Sequence, residues 1–327
     1  MILLLTLPCR GQTAKDEIRL ETARLKQQLG SLSLSESESK QYGQELDQTE
    51  TALGAGYIYF GLYKASRIWA TLRSLGYSKS KAEIEKQGVE AFEKEWRRLG
   101  GELAQKEKRF TAPRQLAAAA RALMDYSLTQ VRPYHKSGRL YGLNTTIGNG
   151  LYYLGQARTN LDFALFCHGL GLKAAGSAIR LRPMDAELAL LESEIVKAFD
   201  RPESAPNQRA YIVAHSVLKI ALDLNREKRL AGALHAYLET CRAFYGITAS
   251  AFDEKEIPEM KSQLDSFRSR FSSGKRDHSI GLIQWERVRF ALDRADEGHI
   301  DKDELRRAAV ILNHVLPRYF KFIEGAR

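Results

Sequence analysis

Apolar residues in this chain recur every third or fourth position wherever a run is long enough to judge, and that period constrains it to helices. In "AEIEKQGVEAFEKEWRRLGGEL" the positions Ile84, Phe92, Trp96, Leu99 and Leu103 share one helical face, with charge on the other. Val213, Val217, Ile220 and Leu224 repeat the step, as do Leu230, Ala233, Tyr237, Cys241 and Phe244. No Asn-Gly or Asp-Gly pair joins two alternating runs, as a β-hairpin would require. The fold class expected is all-α, built of antiparallel helical hairpins arranged as a solenoid or a bundle.

Breakers divide the chain. "RLETARLKQQLG" reads as a short polar helix, and the Ser/Glu-rich "SLSLSESESK" (Ser31 to Lys40) has linker composition. Residues 15–40 are therefore expected to be helix plus linker. Residues 41–140 form an N-terminal helical region, with helices around 40–76, 80–108 and 113–131. The last of these is opened by Thr111 and Pro113, carries Leu116, Ala119, Leu123 and Tyr126 on its face, and is closed by Pro133. The stretch "PYHKSGRLYGLNTTIGNG" (Pro133 to Gly150) separates it from a second helical region, 141–327, interrupted once more at "DRPESAPN".

Length and composition exclude some classes. The 327 residues suffice for two domains, so neither disulfides nor metals are needed for a core. No apolar run approaches the ~18 residues of a membrane span. Net charge is +10, from 50 basic against 40 acidic residues, which favours anionic partners. The basic residues are interleaved with acids, as in "EKEWRRLGGELAQKEKR", rather than gathered with aromatics into a stripe; this argues against nucleic acid. The opening "MILLLTLPCRGQTA" resembles the end of an export signal: an apolar run Ile2 to Leu7, then small and polar residues up to Ala14, over residues 1–14. A periplasmic or secreted protein is expected, with the cytoplasm as the alternative. Cys9 lacks the preceding residues of a lipoprotein box, and Cys167 and Cys241 sit on apolar registers as buried thiols do.

A period of ~34 residues is visible in part of the second region. "AIRLRPMDAEL" (Ala178 to Leu188) resembles the junction between tetratricopeptide repeats, where a helix ends in Ala, an aliphatic residue and Pro. "VLKIALDLNREKRLAGALHAYLET" resembles a repeat interior, with Val217, Ile220, Ala221 and Leu224 on the first helix and Leu230, Ala233 and Tyr237 on the second. "YYLGQA" resembles a repeat opening. The turn "NREKR" lacks the usual Gly, and the likeness covers only parts of residues 150–245. It implies a stack of helical hairpins whose surface binds a protein or peptide.

Catalytic patterns are scarce. HExxH, GxSxG and GxxxxGK[ST] do not occur, no His follows a Glu by three positions, and the Gly-x-Gly of "GNGLYYLG" has its next Gly misplaced for a dinucleotide loop. "HSIGLIQWERVRFAL" (His278 to Leu292) resembles the Gly-Leu-x-Gln-Trp segment of lysozyme-like enzymes that cleave peptidoglycan. That resemblance would make an upstream Glu254, Glu256 or Glu259 the general acid, although none is followed by Ser.

"DRADEGHIDKDEL" comes close to a calcium loop. With Gly298 at the obligatory glycine, Asp293, Glu297, Asp301 and Glu304 supply side-chain oxygens and His299 a carbonyl, but Ala295 supplies none. The same residues make a helix stop at Gly298 and a restart capped by Asp301, with Glu304 completing a capping box and Ile300 and Leu305 a hydrophobic staple. No cofactor and no metal are expected. The function expected is a non-catalytic helical scaffold in the cell envelope that binds a protein or peptide. The alternatives are a lysozyme-like peptidoglycan hydrolase and a helical protein binding nucleic acid or another anionic surface.

Overall fold

A computed structural model describes residues 10–111, 116–173, 176–272 and 276–325. The export-signal segment before residue 10, with Cys9, lies outside the described residues, as does the Pro113 helix opening. Ala14 lies inside the first helix and is buried. Among the described residues all extended regular structure is helical, apart from one isolated bridge between Ser177 and Arg276. The fold is all-α. Among the described residues no helix is long and apolar enough to cross a membrane.

By internal contacts the chain divides into two units, residues 1–116 with 127–173, and residues 117–126 with 174–327. In the first unit, α1 (Arg10–Ser31), α2 (Glu36–Gly54) and α3 (Ile58–Ser80) pack against one another. The short α4 (Ala82–Gln87) and α5 (Val89–Glu107) follow, and both touch α7 (Ile147–Gly169), which also packs along α3. Between them α6 (Ala118–Asn144) gives its residues 127–144 to this unit. The Ser/Glu-rich stretch is mostly helix rather than linker. Ser35 caps α2, its hydroxyl accepting from the Glu38 amide while Glu38 accepts from the Ser35 amide, so the serines and glutamates there form a capping box.

Pro133 does not end its helix, and 133–150 is not a separator: α6 runs through Pro133 to Asn144, and α7 starts at Ile147 with Thr146 as cap. The expected boundary near 140 therefore falls within a helix. Pro133 is exposed, while Val131 and Gly138 beside it are buried. Burial of that face offsets the ~3 kcal/mol that an interior proline costs. The glycines of this stretch serve contact rather than breakage. A Cβ on Gly142 would lie 2.2 Å from the fully buried Phe92 ring, and one on Gly150 would lie 2.6 Å from the Gly142 Cα.

In the second unit, residues 118–126 of α6 join α8 (Asp185–Phe199), α9 (Gln208–Arg226), α10 (Leu230–Ile247), α11 (Ile257–Ser272), α12 (Ser279–Asp296), α13 (Lys302–Val310) and α14 (Leu316–Glu324). The first amides of α6 are held by side chains of this unit: Ala118 N–H donates to Asp277 at 2.6 Å and Ala119 N–H to the Ser279 hydroxyl at 2.8 Å. The pair α9 and α10 is the hairpin expected for "NREKR"; in place of the usual Gly, Lys228 adopts φ 59°. "AIRLRP" is not a helix end. Residues 178–184 are irregular, α7 having stopped at Gly169, and Asn225 ties them to α8 by accepting from Met184 N–H at 2.9 Å and donating to Asp185 at 2.9 Å.

Gly150→Ala is expected to destabilise the protein by roughly 2–3 kcal/mol, because both the Gly142 backbone and Phe92 would have to move. Gly101→Ala in α5, where a Cβ meets nothing within 4 Å, should stabilise by about 0.5–1 kcal/mol. Urea unfolding of both variants checks the contrast.

Candidate functional site

The helix following α13 changes hand-hold at Ile311–Val315, where one π-turn is inserted before α14. Such a turn is costly in isolation and recurs at functional sites, because it pushes a side chain out of helical register. Here it carries Asn313 and His314 into the wall of a pocket of ≈ 290 Å³. The opposite walls come from the end of α10 and the segment after it, with Tyr245, Thr248, Ser250 and Phe252, and from Glu256 and Arg306.

Ring contacts build the floor. His314 stacks on Tyr245 with centroids 4.3 Å apart and planes 8° from parallel. The Arg318 guanidinium lies over the same Tyr245 ring at 4.6 Å. The Tyr245 hydroxyl donates to Glu194 and accepts from Arg318. Burial, together with the neighbouring Arg318 charge, lowers the His314 pKa from its ordinary value, so the imidazole is neutral at neutral pH. Its ring nitrogens meet no other described residue.

A second polar cluster is sealed inside the same unit. Glu239 on α10 is buried and accepts from the Gln284 amide of α12 at 2.9 Å. Burial alone would raise its pKa, but Arg242, then Arg287, then the Gln284 hydrogen bond hold it well below the carboxylate range. His235, one turn earlier, is buried edge-on against Tyr126 and kept neutral by burial. Asp125 is buried against Gly232, whose N–H it accepts; burial pushes its pKa up to about 6 despite the charges of Arg229 and Arg121.

Comparison with protein-family models, with curated proteins and with solved structures finds no match.

Glu254, Glu256 and Glu259 are all exposed. Glu254 pairs with Lys302 at 3.3 Å, and Glu256 accepts from the Asp253 amide at 3.1 Å in a capping box. Of the three, Glu256 lines the π-turn pocket. The Gly-Leu-x-Gln-Trp segment serves packing: Gln284 enters the Glu239 cluster, and the Trp285 indole donates to the Leu264 carbonyl at 3.1 Å.

The acids of the calcium-like loop are used locally. Asp293 pairs with Arg289 at 2.8 Å, Gly298 takes φ 86°, Asp301 accepts the Glu304 amide at 3.0 Å, and the Glu304 carboxylate lies 3.5 Å from Arg294. Glu297 caps the end of α12, and the His299 amide donates to the Arg294 carbonyl. The capping box is thus half formed, and Ile300 remains exposed although Leu305 is buried. Among the described residues no group of three or more His, Cys, Asp or Glu could hold a metal ion. Cys167 and Cys241 are free buried thiols.

His314 was one of seven scattered histidines in the sequence. The signal for its turn is the spacing of Ile311, Val315, Tyr319 and Ile323, all buried, at a sustained step of four. In an α-helix of 3.6 residues per turn each step of four drifts about 40°, and the π-turn takes up that drift between Ile311 and Val315.

Asp125 gives a pH test. Its folded pKa lies above its unfolded value, so its stabilising effect is complete below pH ~4 and lost as pH rises through about 6. The stability of wild type relative to Asp125→Asn should fall by about 3 kcal/mol between pH 4 and 7.5, read from urea midpoints. For the loop, Asp301→Ala should cost about 1 kcal/mol through loss of the cap, with added calcium shifting neither midpoint.

Proposed function

We propose that this chain is a helical scaffold of the cell envelope whose second unit stacks hairpins in a tetratricopeptide-like manner and binds a protein or peptide partner. The observation that carries this is the distribution of apolar surface. Among the described residues eleven large hydrophobic side chains are exposed, and five of them, Leu190, Val196, Phe199, Ile212 and Val213, lie on α8 and α9. The Phe199 and Tyr211 rings meet edge-on at 6.3 Å, so the end of α8 and the start of α9 stand together and bring Val196, Phe199, Ile212 and Val213 to one end of the hairpin. Isolated exposed hydrophobics need no explanation, but a concentration of them on one hairpin is the surface chemistry of a binding site.

The alternatives have no comparable support. A lysozyme-like mechanism needs a carboxyl whose pKa is raised by burial, and Glu254, Glu256 and Glu259 are exposed. Many basic side chains are engaged by acids on their own helix, such as Arg97 with Glu93 at 2.8 Å and Lys106 with Glu102 at 3.0 Å, which leaves little for a phosphate backbone. The envelope location rests on the Ile2 to Leu7 run.

The double variant Ile212→Asp/Val213→Asp tests the surface. Both side chains are more than half exposed, at 59% and 53%, so thermal unfolding should be unchanged. Recovery of the partner from an envelope extract should fall at least about tenfold. Recovery equal to wild type, or no partner recovered reproducibly by wild type, counts against the scaffold.

A further inference from the structure

The π-turn pocket has a composition that a protein-binding surface does not need. Two of its lining side chains are charged, Arg306 and Glu256, since His314 is held neutral. Arg306 is loosely engaged, with one nitrogen 3.5 Å from the Gly246 carbonyl and another 3.7 Å from the exposed Asp303. Most of the N–H groups of its guanidinium are thus available to a ligand oxygen. Glu256 uses one oxygen to cap its own turn and keeps the other. The hydroxyls of Thr248 and Ser250 and the ring nitrogens of His314 meet no other described residue, so the polar groups here outnumber their partners. Asn313 adds a further polar group, its Oδ1 accepting from Gln263 at 3.2 Å, and Phe252, Ala309 and Val310 supply apolar surface beside the Tyr245 ring.

We propose that this pocket binds a free α-amino acid with an apolar side chain. Arg306 receives the carboxylate, Glu256 the ammonium group, and the side chain lies against Phe252 and Ala309. One guanidinium and one carboxylate in the same small space select a ligand that is neutral overall but dipolar: a simple anion meets Glu256, and a simple cation meets Arg306. The ≈ 290 Å³ of space is near the lower end of the roughly 300–1,000 Å³ found for small-molecule sites. The lining residues of the pocket differ from those of the α8 and α9 surface.

Calorimetric titration of the full chain with each standard L-amino acid tests the assignment. The tightest binder is then compared with its amine, which lacks the carboxylate, and with its deaminated acid. At least one apolar amino acid should bind, and loss of either charged group should weaken binding about tenfold or more. Glu256→Gln keeps the cap, because an amide oxygen also accepts from the Asp253 N–H; it should weaken the amino acid and spare the deaminated acid. Arg306→Gln should weaken both. Ala309→Trp, which fills the pocket, should abolish binding while far-UV circular dichroism stays unchanged. The proposal is overturned if no amino acid binds at ~10 mM, if the amine or the acid binds as tightly as the amino acid, or if Ala309→Trp binds like wild type.

Discussion

Helices in this protein approach each other at glycines, and the packing of both units depends on it. Gly142 and Gly150 bring α6 and α7 so close that the Phe92 ring from α5 fills the remaining space, where a Cβ on either glycine would lie within 3 Å of it. Gly155 lets α7 lie against the backbone of Ser74 on α3, close enough for the Ser74 and Thr159 hydroxyls to bond at 3.1 Å. In the second unit Gly232 seats Asp125 on α10, and Gly281 seats Tyr319 against α12. Each glycine weakens its own helix by about 0.5–1 kcal/mol. Dispersion between surfaces at contact, summed over large side chains such as Phe92 and Tyr319, outweighs that cost.

Close packing raises the stakes for polar groups trapped inside it. Helix α10 is buried on nearly every side, with Ala233, Leu234, Ala236, Leu238 and Cys241 inaccessible. His235 and Glu239 therefore cannot turn to water. A buried carboxylate is tolerated only where cations and donors converge on it, and Arg242, Arg287 and Gln284 do so for Glu239. Asp125 is less well compensated, and its pKa rises instead of falling. One unit thus holds two buried acids whose stability contributions run in opposite directions with pH. Glu239 contributes above the ordinary carboxylate range and loses its contribution as pH falls, while Asp125 does the reverse.

What the sequence shows clearly is period, and what it hides is the reason for a residue type. The faces carrying Phe92 and Leu99, or Ala233 and Cys241, are buried where a helical period places them, whereas on α9 the expected Val213 is exposed and the buried face is Tyr211, Ala214, Leu218 and Ala221. Pro133, Gly138, Gly142 and Gly150 in one stretch carry the composition of a loop, because propensity counts what these residues cost a lone helix. It does not count what close approach returns when another helix arrives. The same ambiguity lies in "SLSLSESESK", where Ser35 and Glu38 are caps rather than linker residues. For the acids of residues 293–304, spacing fits both a cation and a cap. The choice falls to neighbours that no local pattern contains, such as Arg289 and Arg294.

The pocket is hidden for a further reason: its residues come from two distant stretches of the chain, 245–256 and 306–314, and only one interruption in period joins them. Inserting a residue at 311–315 keeps Val315, Tyr319 and Ile323 on the core side and turns Asn313 and His314 outward. Without the insertion, the step from Ile311 to Val315 would drift about 40°. The apolar spacing at this step therefore favours the distortion. The distortion in turn sets an imidazole against Tyr245, facing hydroxyls that have no other described partner. Core packing and site geometry are in this way two consequences of the same extra residue.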